Sequence, residues 1–185
     1  MSRHEHPIVA SASPISRTLD GMKRLAEAGA SAIVMFSLFE EQIRFEHAAY
    51  EHFSKLGAES TSEASGYFPK VNEYRVGPDD YLELIRRAKA AIRVPIIASL
   101  NGVTNAGWTE YAKSLEEAGA DAIELNVYMI PADMTLSGRE VEQRYIEIVR
   151  AVRSAVQIPV AVKLSPFFSS MGEMARLLVE AGANG

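Results

Sequence analysis

The sequence predicts an α/β fold, a (β/α)8 TIM barrel, and three observations support this prediction. Short apolar runs rich in β-branched residues alternate with segments of helical periodicity, as expected for a parallel sheet built from βα units. The phrase Glu-Ala-Gly-Ala occurs three times, at residues 27–30, 117–120 and 180–183, each time where a helical pattern ends. Polar residues gather at the C-terminal ends of the apolar runs, where a barrel carries its functional groups.

Length, charge and composition limit the class of protein. A chain of 185 residues favours one domain, and its net charge of −5 argues against a nucleic-acid partner. It has no cysteine, which excludes disulfides and a cysteine nucleophile, and its histidines show no metal-binding spacing, so no metal site is predicted. No apolar run is long enough for a membrane span, and the first residues lack a signal-peptide pattern. We therefore expect a cytoplasmic protein that acts on a small-molecule substrate and does not contact a membrane. The composition is compatible with a monomer or a homo-oligomer.

Each strand is predicted from a short, nearly continuous apolar run, which is the pattern of a strand buried on both faces. The predicted strands are Pro7–Ser11, Ala32–Phe36, Val94–Ser99, Ala122–Val127 and Pro159–Leu164.

The helices are predicted from apolar residues spaced three and four apart. They cover Thr18–Ala28, Glu40–Leu56, Asp79–Ile92, Thr109–Ala118, Val141–Val156 and Met171–Ala181. In the third of these, the buried stripe is expected to run through Leu82, Ile85 and Ala88. Ser137 and Glu140 form the pattern of a capping box before the fifth.

The repeated phrase is interpreted as the joint between a helix and the next strand. Its glycine falls where a helix ends in the left-handed conformation, and a buried strand follows within a few residues. An open doubly wound sheet is the alternative closure, but no Gly-x-Gly-x-x-Gly motif follows the first strand. After the third copy, at Gly185, we expect a sixth strand, in a full barrel of about 250 residues or more.

The domain organisation is expected to be one incomplete barrel over residues 1–185, truncated after the helix that follows strand five. An excursion at about residues 38–77 separates strands two and three. A loop of this length is usually functional or mobile. Its aromatic residues Tyr67, Phe68 and Tyr74 would either cover the barrel mouth or pack on its rim.

Lys163 and Asn126 are the principal candidates for a site. A lysine inside an apolar strand is costly to bury unless it is paired or meets a ligand, although Lys163 could instead reach solvent at the rim. Asn126 ends the fourth strand, where its amide offers donors and an acceptor. Glu124 lies two residues before Asn126 and therefore on the same face of the fourth strand, from which it could neutralise Lys163. A purely structural role for Glu124 is favoured. Ser99 ends the third strand, and it and Asn101 beyond it could bind a ligand or form the turn.

Four motifs resemble, in this order and spacing, the flavin-dependent dihydroorotate dehydrogenases: PIVASASP, PIIASLNG, EEAGADAIELN and IPVAVKLSP. The resemblance covers essentially the whole chain and implies a (β/α)8 barrel with FMN bound at its mouth. It implies that Lys163 stabilises negative charge near flavin N1. The residues that it implies for flavin binding are Ser11, Ala12, Ser37, Ser99, Asn126 and Lys163.

The chain departs from this family on the substrate side. The family's catalytic base, a cysteine or serine three residues after the ELN asparagine, is Met129 here, which cannot accept a proton. Ile130 and Pro131 stand where the family has a proline and a substrate-binding asparagine. The catalytic residue is therefore unknown, and Tyr128 and Tyr74 are the candidates for the acid/base.

Two further departures affect the same side of the site. The lysine usual at the end of the second strand is Phe36, followed by Ser37. The asparagine-bearing substrate loop is replaced by YFPKVNEYRVGPDD, with Arg75 near the matching place. The flavin side is largely kept, and the dihydroorotate side is largely lost.

The resemblance implies an FMN-dependent oxidoreductase that acts on CH–CH groups, with dihydroorotate oxidation in pyrimidine metabolism as the family's reaction. One alternative is a flavin-binding barrel without dehydrogenase activity, which the loss of the base would favour. Another is a non-flavin barrel enzyme that uses Lys163 as a Schiff-base lysine or binds phosphate. A third is an inert fragment, because barrel phosphate sites commonly use loops after strands seven and eight.

Overall fold

The computed structural model describes residues 7–39, 78–101, 105–127, 129 and 131–185. The strands in these ranges are β1 (Val9–Ala10), β2 (Ala32–Phe39), β3 (Ile96–Asn101), β4 (Ala122–Asn126) and β5 (Val160–Lys163). The α-helices are α1 (Leu19–Glu27), α2 (Pro78–Ala91), α3 (Asn105–Glu117), α4 (Gly138–Ala155) and α5 (Met171–Glu180). A 3-10 helix over Pro14–Arg17, which the periodicity did not predict, precedes α1.

The strands form one parallel sheet in the order β1-β2-β3-β4-β5. Each connection moves one position in the same direction, and right-handed crossovers then place all the described helices on one face. A doubly wound sheet would reverse its order part-way and carry helices on both faces. The described part of the chain is therefore an α/β half-barrel, as the alternation predicted.

Some predicted boundaries were wrong by a few residues. β3 and β5 begin after Pro95 and Pro159, because proline has no N–H for the ladder; the two proline carbonyls accept from Ile33 and Ile123 instead. β1 ends at Ala10, one residue before the predicted end. At the other ends, β2 continues to Phe39 and β3 includes Asn101. Helix α3 starts four residues earlier than predicted.

The predicted helix-to-strand joints are confirmed. Gly29, Gly119 and Gly182 have φ of +94°, +98° and +109°, the left-handed region that glycine adopts without strain. The alanine after each glycine donates its N–H to a carbonyl in the preceding helix, at 3.1, 3.1 and 3.0 Å. Three copies of one local sequence thus make one local structure.

The residue that follows each joint ties it to the neighbouring strand. Ser31, Asp121 and Asn184 donate their N–H groups to the carbonyls of Ile8, Ile96 and Val160, at 2.9, 2.9 and 2.7 Å. The side chain of each also bonds to the backbone of that same residue. These contacts stabilise the edge of the sheet at which the strands begin.

The helices bury one stripe each against the sheet. In α2 this stripe runs through Tyr81, Ile85 and Ala88, all fully buried. Ile85 and Ala88 were predicted, and Leu82, also predicted, is half-buried and packs against the core. The capping box before α4 is confirmed, with Glu140 N donating to Ser137 Oγ at 3.3 Å and Ser137 N donating to Glu140 Oε2 at 2.8 Å. Within the described ranges, no helix combines the length and the apolar character that crossing a membrane requires.

The predicted helix Glu40–Leu56 and the aromatic residues Tyr67, Phe68 and Tyr74 lie outside the described residues.

Candidate active site

A β-bulge in β2 decides which residues of that strand face the site. Val34 pairs with Ile97, and the next pair in register is Ser37 with Ser99, so β2 advances three residues while β3 advances two. The side chain of Phe36 packs edge-on against the ring of Tyr81 in α2, with centroids 4.9 Å apart. Phe36 thus faces the helices, and Ser37 faces the opposite side of the sheet.

Three polar side chains form a row across β2, β3 and β4. The Oγ atoms of Ser37 and Ser99 lie 3.0 Å apart, and Ser99 Oγ donates to Glu124 Oε1 at 3.2 Å. Since the Ser99 hydroxyl has one proton and gives it to Glu124, Ser37 is the donor to Ser99. We call these three residues the serine–glutamate row. It lies on the inner face of the half-barrel, because Ile123 and Leu125 beside Glu124 are fully buried on the helix side.

A buried tyrosine supports this row from behind. The Tyr81 hydroxyl donates to Phe36 O at 2.9 Å and accepts from Ser99 N at 3.1 Å. Burial raises the pKa of Tyr81 above its usual range; the Glu124 charge also raises this pKa, and the bond to the Ser99 backbone lowers it. Sequence reasoning missed Tyr81, although its helical spacing to Ile85 and Ala88 could have placed it on the buried face.

Asn126 and Lys163 are brought together at the mouth, the edge where the strands end. They are the last residues of β4 and β5 and are partners in register, two residues beyond the pair Glu124–Ala161. Asn126 is half-buried and Lys163 is exposed. Both residues therefore lie at the mouth, and their contact with a ligand stays a prediction.

The predicted neutralisation of Lys163 by Glu124 is not found. In the part of the chain that the structure describes, no ion pair joins Lys163 to a carboxylate. Glu124 accepts from Ser99 instead, because the register places it beside Ala161 rather than beside Lys163.

The remaining sequence candidates lie around this centre. At the mouth, β1 ends at Ala10, and Ser11 and Ala12 follow directly after the strand. Ser11 is exposed and Ala12 is half-buried. Met129 is half-buried, packs against the core, and donates its N–H to Tyr145 OH at a long 3.4 Å. The two acid/base candidates, Tyr128 and Tyr74, lie outside the described residues.

The loop that follows Lys163 is attached to α4. Glu142 accepts from Ser169 N at 2.8 Å and also from the Ser169 hydroxyl. Both bonds lower the pKa of Glu142, and the bond from the Ser169 hydroxyl has the larger effect. Phe168 in the same loop packs edge-on against Tyr145, with ring centroids 5.1 Å apart.

A cation also lies near the end of β2. The Arg17 guanidinium, from the 3-10 helix, sits 5.4 Å over the ring of Phe36. The sequence analysis did not identify Arg17, because no residue near it in the sequence indicates that it lies over Phe36, 19 positions away.

Comparison with known proteins gives relatives that are dehydrogenases by name. The catalytic subunit of dihydroorotate dehydrogenase B (NAD(+)) from Methanocaldococcus jannaschii is 26% identical over 98% of this chain and 57% of its own length. The same subunit from Thermoplasma volcanium is 32% identical over 88% of this chain and 51% of its own length. The NAD-dependent dihydropyrimidine dehydrogenase subunit PreA of Escherichia coli K12 is 27% identical over 97% of this chain and 44% of its own length.

These matches support a relationship to the dihydroorotate dehydrogenases. The chain spans about half the length of the curated relatives it matches. No protein-family profile matches it.

Solved structures support the fold alone. A 2,3-dimethylmalate lyase of the PEP mutase/isocitrate lyase superfamily aligns with a TM-score of 0.56 at 14% identity, over 98% of this chain and 57% of that chain. Dihydrodipicolinate synthase from Agrobacterium tumefaciens aligns with a TM-score of 0.52 at 18% identity, over 92% and 48%. Such low identity carries no information about chemistry.

Proposed function

We propose that the protein is an FMN-dependent oxidoreductase of the dihydroorotate dehydrogenase type, which acts on a CH–CH bond of a small planar ring. The observation that carries the proposal is the register pair Asn126–Lys163 at the mouth, two residues beyond the serine–glutamate row along the strands. The dehydrogenase relatives, which match nearly the whole chain, support the same reaction class.

The side chains at the mouth fit the polar edge of a flavin ring. That edge carries carbonyl oxygens and ring nitrogens, which need hydrogen-bond donors and a nearby cation. Asn126 supplies amide donors from β4, and Lys163 supplies an exposed ammonium from β5. Ser37 lies deeper, in the serine–glutamate row, where its hydroxyl proton goes to Ser99. When bound, FMN would supply a hydride acceptor at N5.

Each residue then has a defined task. Lys163 would stabilise negative charge that develops on the ring, since a positioned cation acts most strongly where water is excluded. Asn126 would orient the ring through its amide, and Ser99 holds Ser37 and Glu124 in place. The proton acceptor is not Met129, whose thioether has no useful basicity, so Tyr128 and Tyr74 stay the candidates.

The first test is the visible spectrum of the purified protein after incubation with FMN. We expect a bound flavin spectrum, and we expect Lys163→Ala and Asn126→Ala each to weaken FMN binding about tenfold or more. Lys113→Ala, at an exposed lysine of α3, is the matched control and should bind FMN as the wild type does. A folded protein that takes up no FMN would overturn the proposal. Borohydride trapping of Lys163 with a carbonyl substrate would then test the Schiff-base alternative.

The second test identifies the substrate ring. Under anaerobic conditions, the FMN-loaded protein is mixed with dihydroorotate or with dihydrouracil, the two ring types suggested by the names of the relatives. Bleaching of the flavin by either one supports the dehydrogenase and names its substrate class. Flavin that binds but is bleached by neither would favour a flavin-binding barrel without this activity.

A further inference from the structure

The bulge in β2 leaves a gap in the hydrogen-bond ladder that a side chain fills. Between the pairs Val34–Ile97 and Ser37–Ser99, the two strands fall out of step by one residue. At this point Ser99 N donates to the Tyr81 hydroxyl at 3.1 Å, and that hydroxyl donates to Phe36 O at 2.9 Å. A tyrosine from α2 therefore bridges β2 and β3 where their own ladder is interrupted.

We propose that Tyr81 is a positioning residue of the site: its hydroxyl holds the bulge open and thereby keeps Ser37 on the inner face, in contact with Ser99. Successive side chains of a strand point to opposite faces of the sheet. If the bulge were absent, the register after it would shift by one residue, and every later side chain of β2 would point to the other face. Without the bulge, Ser37 would face the helices and the row would end at Ser99. The hydroxyl thus acts on the site through Ser37 and Ser99 and touches no ligand itself.

The bonding pattern leaves little freedom for an alternative arrangement. Tyr81 is fully buried, so neither Phe36 O nor Ser99 N could turn to bulk water in its place. The raised pKa of Tyr81 keeps its proton in place over the ordinary pH range. That single proton goes to Phe36 O, which leaves an oxygen lone pair for Ser99 N–H. In turn the Ser99 hydroxyl is directed to Glu124.

The variant Tyr81→Phe removes this hydroxyl and keeps the ring against Phe36. Tyr145→Phe is the matched control, because Tyr145 is almost as buried and its hydroxyl makes, within the described residues, only the long contact to Met129 N. The first readout needs no ligand. It is amide hydrogen exchange at Ser99, measured by NMR relative to Leu125 in β4.

We expect Tyr81→Phe to accelerate exchange at Ser99 about tenfold or more relative to Leu125. Tyr145→Phe should leave this ratio within about twofold. A crystal structure of Tyr81→Phe should show the Oγ atoms of Ser37 and Ser99 separated beyond hydrogen-bond distance. Unchanged exchange at Ser99 together with an unchanged Ser37–Ser99 contact would overturn the proposal.

The second readout rests on the proposed function. Tyr81→Phe is expected to raise the dissociation constant for FMN about tenfold, and Tyr145→Phe to leave it within about twofold. If the wild type binds no FMN, the proposed function fails, and the exchange and structural readouts still decide the role of Tyr81. If FMN affinity falls equally in both variants, the effect is a general loss of packing and the positioning role is overturned.

A second substitution covers the case in which Tyr81→Phe does not fold. Site-specific 3-fluorotyrosine at position 81 keeps the hydroxyl but makes its oxygen a weaker acceptor. The Ser99 amide proton should then shift, whereas 3-fluorotyrosine at position 145 should leave it in place. A Ser99 amide that responds to neither substitution, or equally to both, would contradict the proposal.

Discussion

Ser37 Oγ lies 3.0 Å from Ser99 Oγ, although 62 residues separate the two in the chain. The contact exists because a bulge in β2 brings Ser37 opposite Ser99 on the inner face of the half-barrel. The Ser99 hydroxyl in turn donates a hydrogen bond to Glu124 in β4. Three parallel strands are therefore joined by side-chain hydrogen bonds as well as by their backbone ladders.

Replacing Ser99 tests the energetic weight of this row. Ser99→Ala removes the donor to Glu124 and the partner of Ser37 at a fully buried position, so we expect a loss of about 1–3 kcal/mol in the free energy of unfolding. Urea unfolding measures it. The control is Ser154→Ala, at an exposed serine whose hydroxyl donates to Arg150 O, which should cost less than about 0.5 kcal/mol. Equal effects of the two substitutions would contradict the importance of the row.

The repeated joints provide a comparison between two glycines of the same conformation. Gly29→Ala meets no atom within 4 Å, so its cost should be the left-handed backbone alone, about 1–2 kcal/mol. Gly182→Ala should cost more, because its Cβ would lie 2.5 Å from Arg153 Cγ. Arg153 would have to move from the carbonyls of Val156 and Ile158, to which it donates. Thermal or urea unfolding of both variants checks the order, and a smaller loss at Gly182 would refute it.

The ion pair Lys89–Asp121 lies at the edge where the strands begin, opposite the mouth. It allows the contribution of charge to stability to be measured separately from that of a hydrogen bond. Lys89 Nζ lies 2.7 and 2.6 Å from the two carboxylate oxygens of Asp121, and the second oxygen also accepts from Ile96 N at 2.7 Å. Both side chains are about a third exposed, so Lys89→Met should cost no more than about 1 kcal/mol. Asp121→Ala should cost about 1 kcal/mol more, since Ile96 N–H also loses its acceptor.

Salt distinguishes the two contributions in this pair. Raising the ionic strength to about 1 M should shrink the Lys89→Met effect, because the salt screens a partly exposed pair. The extra cost of Asp121→Ala should persist, because a hydrogen bond to Ile96 N is not screened in this way. The measurement is urea unfolding at low and high salt, and an extra cost that vanishes with salt would show that the Ile96 bond contributes little.

The attachment of the loop after β5 predicts a pH dependence. Bonds from Ser169 hold the pKa of Glu142 below its ordinary value of 4.5, so the unfolded chain takes up the proton more readily than the folded one. This contribution is fully present above the ordinary value and is lost as the pH falls through the lowered pKa. Glu142→Gln should therefore lower the urea midpoint at about pH 6, and that difference should shrink as the pH is lowered to about pH 3.

The control for the pH experiment is Glu117→Gln, at an exposed glutamate that ends α3. Its difference from the wild type should change little between the same two pH values. If Glu142→Gln and Glu117→Gln behave alike, the bonds from Ser169 do not stabilise the fold.

Much of the fold could be predicted because its signals are local. The apolar runs, the helical spacing, the capping residue Ser137 and the glycines of the joints each act within a few positions of the chain. Within the described residues, the structure confirms the strands and helices that they predicted, apart from shifts of a few residues at their ends. The positions of Asn126 and Lys163 were also predictable, because each ends a strand and parallel strands end at one edge.

The same local signals could not predict how β2 is paired. Val34 and Phe36 lie in the apolar run Ala32–Phe36, which Ser37 follows directly, and nothing in this stretch shows where the extra residue of the bulge falls. Nor does the run reveal that Glu124 is held by Ser99 rather than by Lys163, because that outcome depends on the register of three strands distant in the chain.

The sequence by itself thus determined the order of strands and helices, the left-handed joints, and the polar residues at the strand ends. Only the tertiary structure decided that Ser37 faces inward and that Tyr81 supports it. The physical reason is that the first set depends on backbone preferences and spacing within one element. The second depends on register and on a single hydroxyl placed between two strands, which exist only when β2, β3 and α2 are packed together.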